Sequence, residues 1–150
     1  MLTAASVADM ATASECGVRC DATVGLSFPV WAAAPQDARP SAVDWRPGTI
    51  NLVCALPVAL CDAALVNAVV TATEAKAQAL LEAGVPGTGT ASDALVVCCP
   101  DKDDGAIDPE LFCGPRSAWG ARLARAVHGA VSEGVARYLA AEAVIRPSRR

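Results

Sequence analysis

Residues 71–99 read TATEAKAQALLEAGVPGTGTASDALVVCC. The stretch starts as a helix with a polar stripe, turns through a loop rich in Gly and Thr over 85–93, and ends in an apolar strand over 94–99. Everything else in the chain is placed by reference to this helix, loop and strand.

Upstream, residues 49–56 (TINLVCAL) form a nearly continuous apolar run, the pattern of an interior strand covered on both faces. Pro57 limits its extension. Asp62 has the chemistry of a helix N-cap, and Gly84 suits the position just past a helix end. Between them Asn67, Thr71, Glu74, Gln78 and Glu82 recur at helical spacing and predict one polar stripe facing solvent. Strand, long helix and strand in that order predict a parallel pair joined by a right-handed crossover.

Further out the pattern is weaker. Residues 18–26 alternate, with Val18, Cys20, Ala22, Val24 and Leu26 on one side, which predicts a half-buried strand. Residues 4–14 are small and mixed, with Thr3 or Ser6 as caps, and predict a short helix. Residues 27–48 hold four Pro together with Trp31 and Trp45 and suit a long loop. Residues 100–114 form an acidic loop. Its Asp101–Gly105 run resembles a calcium loop, but the Gly comes one position early and Phe112 stands where the bidentate Glu is due, so a solvated loop is expected. Ser117 caps a last helix from Ala118 to about Ala141, with Arg122, Arg125, Glu133 and Arg137 on its wet side. His128 lies on a row with Ala124, Val131 and Val135, which favours a packed histidine over a reactive one. The tail at 145–150 is expected to fray. The expectation is thus an α/β mixed (α+β) fold: one domain over 1–150, a mixed sheet and two long helices packed on it. Three recognisable strands make a thin sheet, which calls for further strands, a partner chain or both.

At 150 residues, 53% apolar and 19% charged, the chain can bury a core and is not a disordered segment. A net charge of −4 argues against a general nucleic-acid binder. Seven Cys without a CxxC pair, beside one His, give no support for a zinc site. They suit buried thiols in a reducing cytosol. No basic region followed by an apolar run opens the chain, and no apolar run approaches a membrane span, so neither a signal peptide nor a membrane partner is expected.

Gly87-Thr88-Gly89-Thr90 can cradle an anion through main-chain amides. It is neither a P-loop nor a dinucleotide fingerprint, because no Gly-Lys-Ser/Thr follows and a strand, not a helix, comes next.

Four stretches in order carry a family resemblance: LTAASV at 2–7 with VRCDATVGLSFPVWAA at 18–33; GTINLVCALPVALCDAALVNAVVTATEAKAQAL at 48–80; GTGTASDALVVCCP at 87–100; and GPRSAWGARLARAVHGAV at 114–131. The chain resembles the adenosylcobinamide amidohydrolases of corrinoid salvage. Cys61 stands where Ser is common in them, and His128 where Tyr is common. Members usually carry further sequence before the LTAA segment, so a fragment or shortened member is expected. The resemblance implies hydrolysis of the amide joining aminopropanol to the corrinoid ring. It implies no cofactor, since cobalt enters only with the substrate, and a corrinoid as the small-molecule partner.

Such chemistry needs a nucleophile or activated water, donors for the oxyanion and a proton for the leaving amine. Asp93 and Glu74 are the candidate carboxylates. Thr88, Thr90 and Ser92 are candidate nucleophiles, or bond the loop. Gly87 and Gly89 present amides, and Arg116 and Ser117 at a helix start suit a polar corrinoid substituent. Asp93 is expected at a strand mouth of the kind where ligands gather in open α/β sheets. No metal ligand is expected, and the thin sheet with its Ala-rich helices suggests a homo-oligomer. Two alternatives stay open: a corrinoid-binding remnant without catalysis, and an unrelated small-molecule-binding domain.

Overall fold

Strand β3 (Ile50–Ala55), helix α1 (Asp62–Glu82) and strand β4 (Ala94–Cys98) form the expected unit, with β3 and β4 parallel in the register Leu52↔Leu95 and Cys54↔Val97. A computed structural model of the chain describes residues 1–3, 5–35, 48–101 and 108–145. Most of the Asp101–Gly105 run, Trp45 and the tail beyond 145 lie outside the described residues. Ahead of this unit come β1 (Ala11–Glu15) and β2 (Val18–Val24), and after it α2 (Ala118–Ile145). The sheet order is β1-β2-β3-β4, antiparallel until the last pair, so the fold is α+β with a mixed sheet.

The helix expected over 4–14 does not form. Val7–Asp9 make a single 3-10 turn, and Ala11–Glu15 become a fourth strand. Ala11 and Ala13 face the core while Thr12 and Ser14 face outward, the period of two that a strand requires. Cys16 (φ 45°) and Gly17 (φ 90°) both take left-handed backbone, which closes a two-residue hairpin between Glu15 and Val18. Helix-favouring alanines lose here to pairing with β2. The sheet thus gains its further strand from its own chain.

Two other expectations need adjustment. Cys61, not Asp62, occupies the N-cap position of α1, and Asp62 is the first helical residue. The polar stripe on α1 is only half solvated. Thr71 donates from Oγ1 to the Cys113 carbonyl at 2.8 Å, and Asn67 Oδ1 accepts from the Cys113 amide at 3.2 Å. These two residues dock the 113–117 loop, while Glu74, Gln78 and Glu82 stay exposed.

The core lies between one sheet face and the helices. Val18, Cys20, Ala22, Ile50, Leu52 and Cys54 alternate onto that face and are buried. α1 turns Ala64, Ala68, Ala72, Ala75, Ala79 and Leu80 inward, and α2 turns Leu123, Val127, Val131 and Val135 inward. With so few large side chains, stability depends on close approach of the backbones. Gly134 makes room for Val24, and Gly120 lies directly against the carbonyls of Cys113 and Gly114. Ser117 locks this corner: its Oγ donates to Gly114 O at 2.9 Å and accepts from the Gly120 amide at 3.1 Å, as an N-cap should. Across the sheet, Arg125 pairs with Glu15 at 2.9 Å and Arg137 donates to Met10 O at 3.1 Å, so two of the expected wet-side arginines tie α2 to the β1 edge.

Gly120→Ala forces a methyl into main-chain oxygens held by the Ser117 cap. The expected loss is about 3 kcal/mol, the upper part of the range for overpacking, read as a lower urea midpoint. A wild-type midpoint would contradict the close seating of α2 on the 113–114 backbone.

Candidate active site

α1 carries its one buried charge in the inward row that begins with Ala72 and Ala75 and continues to Ala79 and Leu80. That charge is Lys76, 9% exposed. Its ammonium forms an ion pair with Asp93 Oδ2. Asp93 stands where the Gly/Thr loop enters β4, and its other oxygen, Oδ1, accepts from the Ile50 amide at 3.0 Å and from the Thr90 hydroxyl. One carboxylate thus joins α1, the start of β3 and the loop before β4. Lone pairs on both oxygens are used, as a buried carboxylate requires.

The loop itself is pinned from the far side by residues that follow β2. Val30 donates to Gly89 O at 2.8 Å, and Val30 O accepts from the Thr88 amide at 2.9 Å. The Ala32 amide donates to Thr88 Oγ1 at 3.0 Å. A Cβ at Gly87 would lie 2.8 Å from Val30 N, and a Cβ at Gly89 would lie 2.6 Å from Lys76 Nζ. The glycines are therefore needed for close approach: Gly87 to the Val30 backbone, Gly89 to the ion pair. The Gly87 amide already donates to Val85 O at 2.9 Å. Ser92 is exposed; its carbonyl accepts from Thr49 Oγ1 at 2.9 Å and its hydroxyl reaches Gly48 O at 3.4 Å.

Of the residues singled out in the sequence, the structure brings Thr90, Gly89 and Asp93 together, with Thr88 and Gly87 on the same turn. Glu74 is exposed and lies about 200° around α1 from Lys76, at 3.6 residues per turn, so it turns away from Asp93. Arg116 is exposed and Ser117 is spent on its helix cap. Both sit at the far end of α1, where Asn67 and Thr71 hold their loop. Asn67 and Lys76 are about 14 Å apart along the axis at 1.5 Å per residue. Asp93 also lies at the amino ends of β3 and β4, not at the carboxyl ends where the strand-mouth rule for open α/β sheets places ligands. Sequence reasoning missed Lys76. The signal was present: a lysine inside an alanine row at steps of three and four has no route to solvent on that face.

Other reactive groups are placed elsewhere. His128 pairs through Nε2 with Glu82 Oε2 at 2.7 Å, and Gln78 donates to Glu82 Oε1 at 2.7 Å. These bonds, that of Gln78 foremost, hold the Glu82 carboxyl below its usual range. The Cys20 and Cys54 sulfurs meet at 3.8 Å inside the sheet, and the Cys20 thiol is pushed up by that contact and by burial. Burial pushes Cys113 up to about 11. Neither Cys20 nor Cys113 is thereby activated as a nucleophile. Among the described residues no group of three or more His, Cys, Asp or Glu is placed to hold a metal, and no helix is long and apolar enough to cross a membrane. A cleft of ≈ 520 Å³ opens at the same end of the sheet as Asp93, with Ser6, Ser27, Arg137 and Tyr138 on its walls. No residue of the Gly87–Thr90 turn, nor Asp93, lines it.

Gly89→Ala is expected to push Lys76 and Asp93 apart and to lower stability by about 1–3 kcal/mol. The loss should shrink in a Lys76→Met background, where the ammonium is gone, and strictly additive losses in denaturant midpoints would contradict the contact.

The chain matches the family model described as adenosylcobinamide amidohydrolase over residues 1–143. It is 44% identical over 128 residues to the adenosylcobinamide amidohydrolase of Halobacterium salinarum, covering 81% of this chain and 50% of that one. It is 33% identical over 95 residues to the adenosylcobinamide amidohydrolase of Methanosarcina mazei, covering 60% of this chain and 48% of that one. The chain spans about half the length of these curated relatives. No solved structure matches it significantly.

Proposed function

The chain belongs to the adenosylcobinamide amidohydrolase family, and from that premise we propose that residues 1–150 form one amidohydrolase-like domain that hydrolyses the aminopropanol amide of adenosylcobinamide. The products are adenosylcobyric acid and aminopropanol. The observation that carries the chemistry is the hydrogen bond from the Thr90 hydroxyl to Asp93 Oδ1 beneath the glycine loop. A hydroxyl on a fixed carboxylate is the arrangement that nucleophile activation requires.

In the proposed step an oxygen, from Thr90 or from a water in its place, adds to the amide carbon as its proton passes to Asp93 Oδ1. The tetrahedral oxyanion is met by main-chain amides. Those of Gly87 and Thr88 already donate within the fold, so we assign the oxyanion to the amides of Gly89 and Thr90. The proton then moves from Asp93 to the amine nitrogen as the C–N bond breaks. If Thr90 attacks, water next cleaves the resulting ester. The step uses no metal and no cofactor of the protein's own; cobalt belongs to the substrate. Glu74 turns away from Asp93 and Ser117 is used by its helix cap, so we assign Glu74, Arg116 and Ser117 to outlying parts of a large ring and not to this step.

A second arrangement is supported by one fact: the chain spans half the length of its curated relatives. In it the chain holds the corrinoid and does not cleave it. We also place the protein in the cytoplasm as a homo-oligomer. Support for assembly comes from Val66, Val69, Val70 and Leu81, exposed apolar residues on the outer side of α1.

Purified chain mixed with adenosylcobinamide is expected to change the corrinoid spectrum and to release aminopropanol. Asp93→Asn should lose on the order of a hundredfold or more in turnover while still binding the corrinoid. A spectral change without aminopropanol selects the binding-only arrangement. Full turnover in a folded Asp93→Asn variant removes Asp93 from the chemistry.

A further inference from the structure

Lys76 is not needed to fill space. It interrupts a row of alanines against which a methionine or leucine would pack, and replacing a buried ion pair by apolar residues commonly leaves a fold as stable or more so. Nor is it needed to tie the loop, since Asp93 already reaches the Ile50 amide and Thr90. What Lys76 alone supplies is a partner for the second carboxylate oxygen. With Oδ2 on the ammonium and Oδ1 on the Thr90 hydroxyl and the Ile50 amide, the carboxylate cannot rotate without breaking three bonds. The side chains of the pair are only 11% and 15% exposed, so water competes weakly for them.

We propose that Lys76 is a positioning residue for amide cleavage. By holding Oδ2 it turns Asp93 Oδ1 to the nucleophile. The inference rests on the hydrolase reading above and deepens it. In the step, Asp93 takes the proton of the attacking oxygen. Asp93 then passes that proton to the departing nitrogen, while the ammonium on Oδ2 holds the carboxyl in place. Lys76 gives up no proton of its own, and one proton has passed from nucleophile to amine. Gly89 has a part in this: with no side chain it lets Nζ sit directly beneath the turn that carries Thr90.

The test is steady-state release of aminopropanol by wild type, Lys76→Arg, Lys76→Met, Asp93→Asn and the Lys76→Met/Asp93→Asn pair. Each is assayed at a temperature where circular dichroism shows it folded, with a corrinoid colour titration alongside. In Lys76→Met, kcat should fall about a hundredfold or more while KM and corrinoid binding change little. Lys76→Arg, which keeps the charge and a donor, should recover at least about tenfold of that loss. The pair should be no slower than Asp93→Asn alone, because Lys76 acts only through Asp93. If Lys76→Met does not fold, the pair, which leaves no unpaired buried charge, and Lys76→Arg decide the matter. Wild-type kcat in folded Lys76→Met, a loss that merely follows the unfolded fraction, or a pair much slower than Asp93→Asn would each overturn the proposal. A wild-type chain that binds corrinoid without releasing aminopropanol overturns the hydrolase reading and this proposal together. A hydrolytic wild type with an unaffected Lys76→Met overturns this proposal alone.

Discussion

An ammonium from the middle of α1 meets a carboxylate at the start of β4, and through that carboxylate three parts of the chain are joined. Lys76 brings the helix, Asp93 brings the Gly/Thr loop, and the Ile50 amide brings the first residue of β3. Removing one member of such a pair strands the other and typically costs about 3–5 kcal/mol, a large share of a margin of about 5–15 kcal/mol. The pair is therefore built into the parallel strand–helix–strand unit. Asp93 thus acts as a loop tie and as a candidate base at once, since the bonds that tie the loop are those that aim Oδ1 at Thr90.

The unit has two working ends. At one end the amino termini of β3 and β4 and the Gly87–Thr90 turn gather around Asp93. At the other, Asn67 and Thr71 hold the Cys113–Ser117 loop against the start of α2. Opposite faces of α1 thus serve two purposes, since Asn67 and Lys76 stand about 180° apart around the helix. Its first half docks a loop through neutral hydrogen bonds, and its second half buries a charge. The Asp93 end offers a hydroxyl bonded to a carboxylate.

The strand–helix–strand unit was legible because its signals are large: an unbroken apolar run for β3, long helical spacing for α1, and a glycine-rich break before β4. β1 was not. Ala11 to Glu15 hold no large apolar residue, alanine favours helix when no partner is present, and Cys16-Gly17 is not one of the usual hairpin dipeptides. Only pairing with β2 makes the segment a strand. In the candidate site, the loop residues Thr90 and Asp93 could be picked out, because hydroxyls and a carboxylate among glycines stand out. Lys76 could not be chosen over Glu74 from the polar stripe alone. The two stand two residues apart in the TATEAK segment, yet the turn of the helix sends one to water and the other to Asp93. Asn67 and Thr71 were read as solvated for a related reason: the loop that covers them is more than 40 residues away in sequence, at Cys113.

The central claim is that amide cleavage belongs to the Lys76–Asp93–Thr90 end of this unit. A crystal structure of the chain with bound cobinamide tests it most directly. The account predicts the aminopropanol amide carbon within about 3.5 Å of Thr90 Oγ1 or of a water bonded to Asp93, the separation of a near-attack arrangement. An amide seated instead by Arg116 and Ser117, with Thr90 and Asp93 turned away from the corrinoid, would contradict it.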